Sequence, residues 1–375
     1  VHLFEKLSEL QKGLIISGDA THRPLLRKLL AADAQRFESM RAAIFANASA
    51  APHKGSMLPT SEAVDLDRLS QFLREAFPAE DSLAVSAIEV LTGGHSKTTI
   101  LLQLNGCRDM PSEIVLRKDS EAVHSAGSVT NEYELLNCLA EQGVRAPRPL
   151  AIDHTGKILG SPFIIVSKCE GSVIGDLLRL APSNPRLCEG LGRELARIHS
   201  LPLTKIEKAL GKQKSYSPRE WVDQLLERDY STWAALRIPD PIYESAFSCL
   251  RANIGIVDDL PLGMVHGDFG LQNILVTDNE VSAVLDWEFA TLGCSAYDIG
   301  YFFDQAEALG SWQEFLSAYE VEGGTSFSPE VLDYFILMNA TRFGAMGHRM
   351  LQHLDSKAHL DDASASIICE LFIES

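Results

Sequence analysis

Positive charge is scarce in this sequence. Its 33 lysines and arginines stand against 51 aspartates and glutamates, a net charge of −18. Nucleic-acid surfaces need a basic face for the phosphate backbone, so this balance argues against nucleic acid as a partner. It is compatible with a cationic small substrate and, more simply, with an acidic coat that keeps the protein dissolved. Long apolar runs are also missing. None approaches the roughly 18 residues a membrane span needs, so no membrane partner is expected. No C-x-x-C pair occurs among the seven cysteines, which are scattered and odd in number. They read as free thiols of a reducing cytosol, and a cytoplasmic location is expected. The first residues, VHLFEKLSELQKG, carry charge too early and too often for a signal peptide. No internal repeat is visible.

What is present is an ordinary globular composition, 46% apolar over 375 residues, enough for two or three domain-sized units. Leucines at helical spacing (Leu3, Leu7, Leu10, Leu14, then Leu25 and Leu29) predict helices over much of 3–47. A small-residue, turn-rich linker follows at 47–61. A short helix is expected at 65–77, with Asp65 as its cap and Pro78 as its stop. Short β-type segments then appear: LAVSAIEVL, TTILLQL, EIVLR and PFIIVSK, with a helix at about 128–142 among them. From 186 onward helices dominate, at about 186–200, 218–236, 298–308 and 328–353. The exception is NILVTDNEVSAVLDW, two strands round a tight turn. The expected order is a helical extension (1–80), a small β-rich lobe (81–170) and a larger helical lobe (171–375).

The segment VHGDFGLQNILVTDNEVSAVLDWEF carries the chemistry. Magnesium bearing nucleotide phosphates takes hard oxygen ligands, usually one or two from the protein. Asn273 and Asp286 offer oxygens of that kind. Asp268, on the same loop, can orient an attacking hydroxyl and accept its proton. A hairpin between them would fold Asp286 back beside Asn273. The plain alternative is a hairpin with surface acids. In LTGGHSKTTI, no glycine precedes Lys97 and a strand follows, so this is not a Walker-type loop. Gly93 and Gly94 can instead form a flap over phosphates, or merely a hairpin turn. Arg117 and Lys118 end a strand, and alternation sends one of them inward. Either Arg117 pairs with Glu132, or Lys118 pairs with Glu134. His348, His353 and His359 suggest a metal cluster but fit solvated positions on a helix face. Trp221, Tyr230 and Trp233 could line an acceptor pocket or pack a core. Asp298 is a helix cap or a brace for the catalytic loop.

VHGDFGLQNILV followed by VLDWEFA resembles the aminoglycoside phosphotransferase and choline kinase superfamily, small-molecule relatives of protein kinases. LTGGHSKTT, IVLR, NEYELLNCL, PFIIVSKCEG and GRELARIHSL match in the order that family shows, over roughly residues 80–350. The chain is most similar to a broad bacterial branch also found fused to acyl-CoA dehydrogenases. The resemblance implies an α+β, bilobal, protein-kinase-like fold with a β-rich N-lobe and a mostly helical C-lobe. It implies Asp268 as base, Asn273 and Asp286 as Mg²⁺ ligands, and Gly93, Gly94 and Ser96 as the phosphate flap. Arg117 stands where the family often has lysine, with Glu132 as its helix partner, and the backbone of Ser167 to Cys169 becomes the adenine hinge. Arginine for lysine keeps charge but alters geometry. Lys97 stands where the flap often carries asparagine.

The expected function is transfer of the γ-phosphoryl of ATP or GTP to a hydroxyl of a small molecule. A nucleotide-binding pseudokinase is the competing class, and the intact Asp268, Asn273 and Asp286 set weighs against it. A protein kinase is a third reading, but no A-P-E segment follows Asp286-Trp287-Glu288. The N-terminal 80 residues fit a homodimerisation arm, a lid over the acceptor site or a packing extension.

Overall fold

The computed structural model describes residues 23–31, 65–91, 97–119, 128–175, 182–211, 216–238 and 240–356. The leucine repeat at 3–14, the linker at 47–61 and the glycine flap lie outside these residues.

Helix α1 (23–31) is short and buries Leu26 and Leu30 in a core that also holds Val331 and Tyr334. Helix α2 (Leu66–Ala76) starts at Asp65, whose carboxylate accepts the Arg68 amide. Leu69 and Leu73 point one way at helical spacing and are fully buried. They pack onto a five-stranded antiparallel sheet formed by β1 (Ala84–Leu91), β2 (Lys97–Asn105), β3 (Glu113–Asp119), β4 (Pro149–Asp153) and β5 (Phe163–Ser167), in the order β1-β2-β3-β5-β4. Ser70 fastens helix to sheet: its hydroxyl donates to Leu66 O and accepts the Val85 amide. Although α2 falls within the 1–80 stretch set apart by sequence, its apolar face is part of this sheet's core.

Strand β5 explains the sheet's place in the molecule. All of Phe163 to Val166 is buried. Phe163 and Ile165 enter the core under α2, whereas Ile164 and Val166 enter the core shared with the helical lobe. A continuous apolar run of this kind suits a strand covered on both faces. Helix α3 (Val129–Glu141), capped by Ser128, lies on that second face.

The chain leaves β5 through Ser167 to Cys169 and enters β6 (Ser172–Val173), which pairs with β8 (Ile274–Thr277). Strand β8 pairs in turn with β9 (Glu280–Val284). Asp278 and Asn279 at the turn both have positive φ, 52° and 62°, the conformation a two-residue hairpin requires. A second small ladder pairs β7 (Leu262–Val265) with β10 (Thr291–Cys294). Round these stand α4 (Pro185–His199), α5 (Leu203–Ala209), α6 (Pro218–Leu236), α7 (Pro241–Ala252), α8 (Ala296–Leu309), α9 (Trp312–Val321) and α10 (Pro329–Ser356). The architecture is α+β, a small sheet lobe and a larger helical one, and the elements expected from residue 65 onward stand within a few residues of their predicted bounds.

Helices α4 and α9 approach closely because Gly192 carries no side chain. A Cβ there would sit 2.4 Å from Phe315 O. Gly192→Ala should therefore lower stability by about 1–3 kcal/mol, despite alanine's better helix propensity. Chemical denaturation checks this, and an unchanged midpoint would remove close packing as the reason for the glycine.

Candidate active site

Strand β7 delivers the chain to His266. The ring is fully buried. Its Nε2 faces Leu285 O at 3.0 Å, and its Nδ1 faces the Asp268 amide at 3.2 Å. A carbonyl only accepts and an amide N–H only donates, so the ring is neutral with its proton on Nε2. Burial also pulls the imidazole below its ordinary range. Gly267 follows with φ 85°, and a Cβ there would lie 2.7 Å from Phe289 O, so glycine is required.

Asp298, in the first turn of α8, holds this loop. Its buried carboxylate accepts the amides of His266 at 2.7 Å and Gly267 at 2.9 Å, and His199 Nε2 lies at 3.1 Å. A buried carboxylate survives only with such partners. Tyr319 completes the chain, its hydroxyl 2.9 Å from His199 Nδ1.

Asp268 itself is enclosed by donors. Oδ1 accepts from the Tyr301 hydroxyl and, at 3.2 Å, from Gln272 Nε2. Oδ2 accepts from Asn273 Nδ2 at 2.6 Å. Burial pushes the carboxyl up to about 6; the bonds from Tyr301 and Asn273 oppose that rise, as does the charge of Arg342, while Asp286 adds to it. Arg342 comes from α10, is itself buried, and donates to the Tyr297 hydroxyl.

Hairpin β8–β9 brings Asp286 back to this loop. Leu285 donates its amide to Asn273 O at 2.7 Å. Trp287, buried against His266 with centroids 4.6 Å apart, donates Nε1–H to Val284 O and pins the turn. Asp286 sits there at φ 60°, a left-handed conformation uncommon for a non-glycine residue. Its Oδ1 accepts from Arg117 Nη2 at 2.9 Å, and Arg117 Nη1 donates to Glu132. Arg117 thus joins β3, α3 and the hairpin. Burial opposes its charge, but the two carboxylates outweigh burial and raise its pKa. Arg117 Nε and Glu132 Oε2 remain buried without a protein partner.

The donor set fits a magnesium-bearing phosphate. Asn273 uses Nδ2 on Asp268, which leaves its amide oxygen, and Asp286 uses one oxygen on Arg117. Hard oxygens of this type are what Mg²⁺ takes beside phosphates and water. An orphaned guanidinium N–H beside them suits a phosphate oxygen.

A family model described as the phosphotransferase enzyme family, APH, matches residues 87–335. This chain belongs to that family. Mouse acyl-CoA dehydrogenase family member 10 is 29% identical over 251 residues, covering 64% of this chain and 22% of that protein. The chain spans 22–30% of the length of the acyl-CoA dehydrogenase relatives it matches. Homoserine kinase of Rhodopseudomonas palustris is 27% identical over 190 residues, 48% of this chain and 50% of that one. In fold, the chain is similar to aminoglycoside 2′-phosphotransferase-IIIa in its GDP complex. That likeness has a TM-score of 0.57 at 16% identity and covers 83% of this chain and 98% of the other.

The structure brings Asp268, Asn273, Asp286, Arg117 and Glu132 together. Lys118 turns to the opposite face of β3 and donates to Leu159 O, so the swapped pairing with Glu134 is not the one formed. Lys97 does not hang in a flap. It is buried, with Nζ 2.9 Å from Asp119, its direct partner across β2 and β3. Gly93, Gly94 and Ser96 lie outside the described residues. Ser167 and Cys169 occupy the passage between the sheet and β6, where Ser167 exchanges two hydrogen bonds with the Arg148 backbone. Trp221 and Trp233 are core residues, packed edge-on against Tyr297 and stacked on Tyr243 respectively. Tyr230 is half-buried beneath Arg251. His348 stands on a helix face and is half-buried, packing edge-on against Trp233 and Tyr243. The side chain of His353 and all of His359 fall outside the description. Sequence reasoning passed over Tyr301 and Gln272. Gln272 lies four residues beyond Asp268 inside the quoted motif, and Tyr301 lies three beyond Asp298 on one helix face, so both had a positional signal.

Arg117→Met would leave Glu132 buried beside Asp286 with no cation. Each carboxyl would then favour its proton. A carboxyl whose folded pKa is raised contributes most below its unfolded value and loses that contribution as pH rises through the folded one. The stability deficit of Arg117→Met should thus be larger at pH 8 than at pH 5, by about 1–3 kcal/mol. Thermal unfolding at both pH values measures it; equal deficits would mean that Arg117 does not govern these carboxyls.

Proposed function

We propose that this phosphotransferase moves the γ-phosphoryl group of ATP or GTP to a hydroxyl of a small molecule. The single observation behind it is the convergence on one loop: Asp268 bonded to Asn273, with Asp286 tied through Arg117 to Glu132. A pseudokinase would have no use for a buried carboxyl held near 6 beside two oxygen donors of the magnesium type. Asp268 orients the acceptor hydroxyl and takes its proton as the acceptor oxygen bonds to the γ-phosphorus and the bond to the β,γ-bridging oxygen breaks. Arg117 holds phosphate oxygens while keeping its bond to Glu132. Asn273 and Asp286 would hold Mg²⁺, which when bound offsets phosphate charge. The acceptor is a small molecule rather than nucleic acid or a membrane component. A homodimer through residues 1–80 belongs to the same proposal.

A panel of hydroxylated acceptors tests this, with ATP and GTP, with and without Mg²⁺. Homoserine enters the panel because a relative is a homoserine kinase. Nucleoside diphosphate release that depends on both acceptor and Mg²⁺ is expected, and none with any acceptor would favour the pseudokinase. Role assignments separate by variant. Asp286→Ala should abolish productive Mg·nucleotide binding, whereas Asp268→Asn should keep binding and lower kcat by about 10²–10⁴-fold. Unchanged Mg·nucleotide affinity of Asp286→Ala in calorimetry would contradict that division.

The pH profile carries a further expectation. A base must be unprotonated to accept the hydroxyl proton, and Asp268 is pushed up to about 6. Turnover should be flat above that value and fall on the acid side below it. A rate constant down to pH 4 would exclude Asp268 as the base.

A further inference from the structure

A second charged constellation lies behind the hairpin. Helix α4 presents Arg186, Gly190, Arg193 and Arg197 at spacings of four, three and four, which is one face of a helix. Arg145 approaches from the loop before β4. With Asn279 and Glu280 of the hairpin turn they border a hollow of about 200 Å³. Four guanidiniums round one hollow run against the composition of a chain in which acids outnumber bases 51 to 33. Among the described residues Glu280 is the one acid in the lining.

Helix stability does not account for this face. Arg186 stands in the first turn, where the helix dipole disfavours a cation. Gly190 stands mid-helix, where glycine costs about 1 kcal/mol relative to alanine. A Cβ at Gly190 would meet nothing within 4 Å, so packing does not demand the glycine, as it does two residues on at Gly192. Its effect is to leave the floor bare between three guanidiniums.

The arginines are also held from beneath. Glu194 is fully buried, and its Oε2 accepts from Arg145 Nη1 at 3.0 Å and from Arg197 Nη1 at 3.2 Å. Its Oε1 accepts the Arg145 amide at 3.2 Å. That carboxylate orders two forks before any ligand arrives. The outer pairs, Arg186 with Glu280, Arg193 with Glu189 and Arg197 with Glu322, lie toward solvent. Such pairs contribute little and yield readily, and each guanidinium carries more N–H donors than these bonds use.

We propose that this hollow binds the phosphoryl group of a small phosphate-bearing molecule, at a site separate from the candidate active site. A dianionic tetrahedral group offers several oxygens to several forks at once, whereas a single carboxylate would leave most of them unmatched. The volume suits a phosphoryl group with a small organic substituent. The hollow touches the back of the hairpin whose two ends carry Asn273 and Asp286, and Arg145 O accepts the Val284 amide at 2.6 Å.

Calorimetry on the full chain, at low ionic strength without Mg²⁺, tests the site. Inorganic phosphate and glycerol 3-phosphate are the probes, so free and esterified phosphoryl groups are told apart. One mole of at least one probe should bind per mole of protein. Affinity should fall about tenfold or more in the double variant Arg186→Ala/Arg193→Ala. Gly190→Ala should weaken binding as well while holding or raising the thermal midpoint, because the methyl fills the hollow but favours the helix. That opposition separates loss of a site from loss of fold. If neither probe binds, or if both bind with affinity indifferent to Gly190→Ala and to the double variant, the proposal is overturned. None of these outcomes depends on whether the kinase reading holds.

Discussion

Arg117 is the interaction on which the site depends. It reaches from the last turn of a strand in the small sheet to a helix on that sheet and to a carboxylate of the helical lobe. One guanidinium bonds two acids that would otherwise face each other with no cation between them. Removing such a cation costs more than the pair's own attraction, because a buried charge is left behind. The fork geometry matters here, since a lysine ammonium would meet the same acids as a point charge.

Beneath that bridge, the loop geometry follows from another buried acid. The buried side chain of Asp298 is matched by the amides of His266 and Gly267 and by the His199 ring. Satisfying Asp298 therefore fixes two successive amides of the loop. With His266 locked between Leu285 and its own loop, the direction of Asp268 is set before any substrate arrives. Preorganisation of this kind is what phosphoryl transfer needs, since the protein's part is mainly positioning and electrostatics.

Much of this was legible in the chain. A continuous apolar run located β5, and the 3.6-residue period located α2 and α6, because burial imposes those patterns directly. Asp65 marked a helix start by its side-chain chemistry. The grouping of Asp268, Asn273 and Asp286 was legible because a tight turn, marked by Asp278 and Asn279, joins two short strands and leaves little freedom in where the second acid returns. Lys97 and His348 were less legible. Their neighbours, Asp119 for the one and Trp233 with Tyr243 for the other, come from elements distant in sequence. A residue's type says what it can bond to, not which element will pass beside it.

The sequence by itself determined the local elements, the loop that carries the acid and amide, and the family to which they belong, because these rest on contacts within a few residues or on contiguous motifs. Tertiary structure alone decided the rest. It chose Arg117 over Lys118 as the inward cation, through the register of β3 against β5. It placed Tyr301 on Asp268 and Asp298 beneath the loop, through the packing of α8. It gathered Arg145 with three arginines of α4 round one hollow. Each of these joins groups tens of residues apart, and such meetings are set by how sheets and helices pack, which no short window of sequence contains.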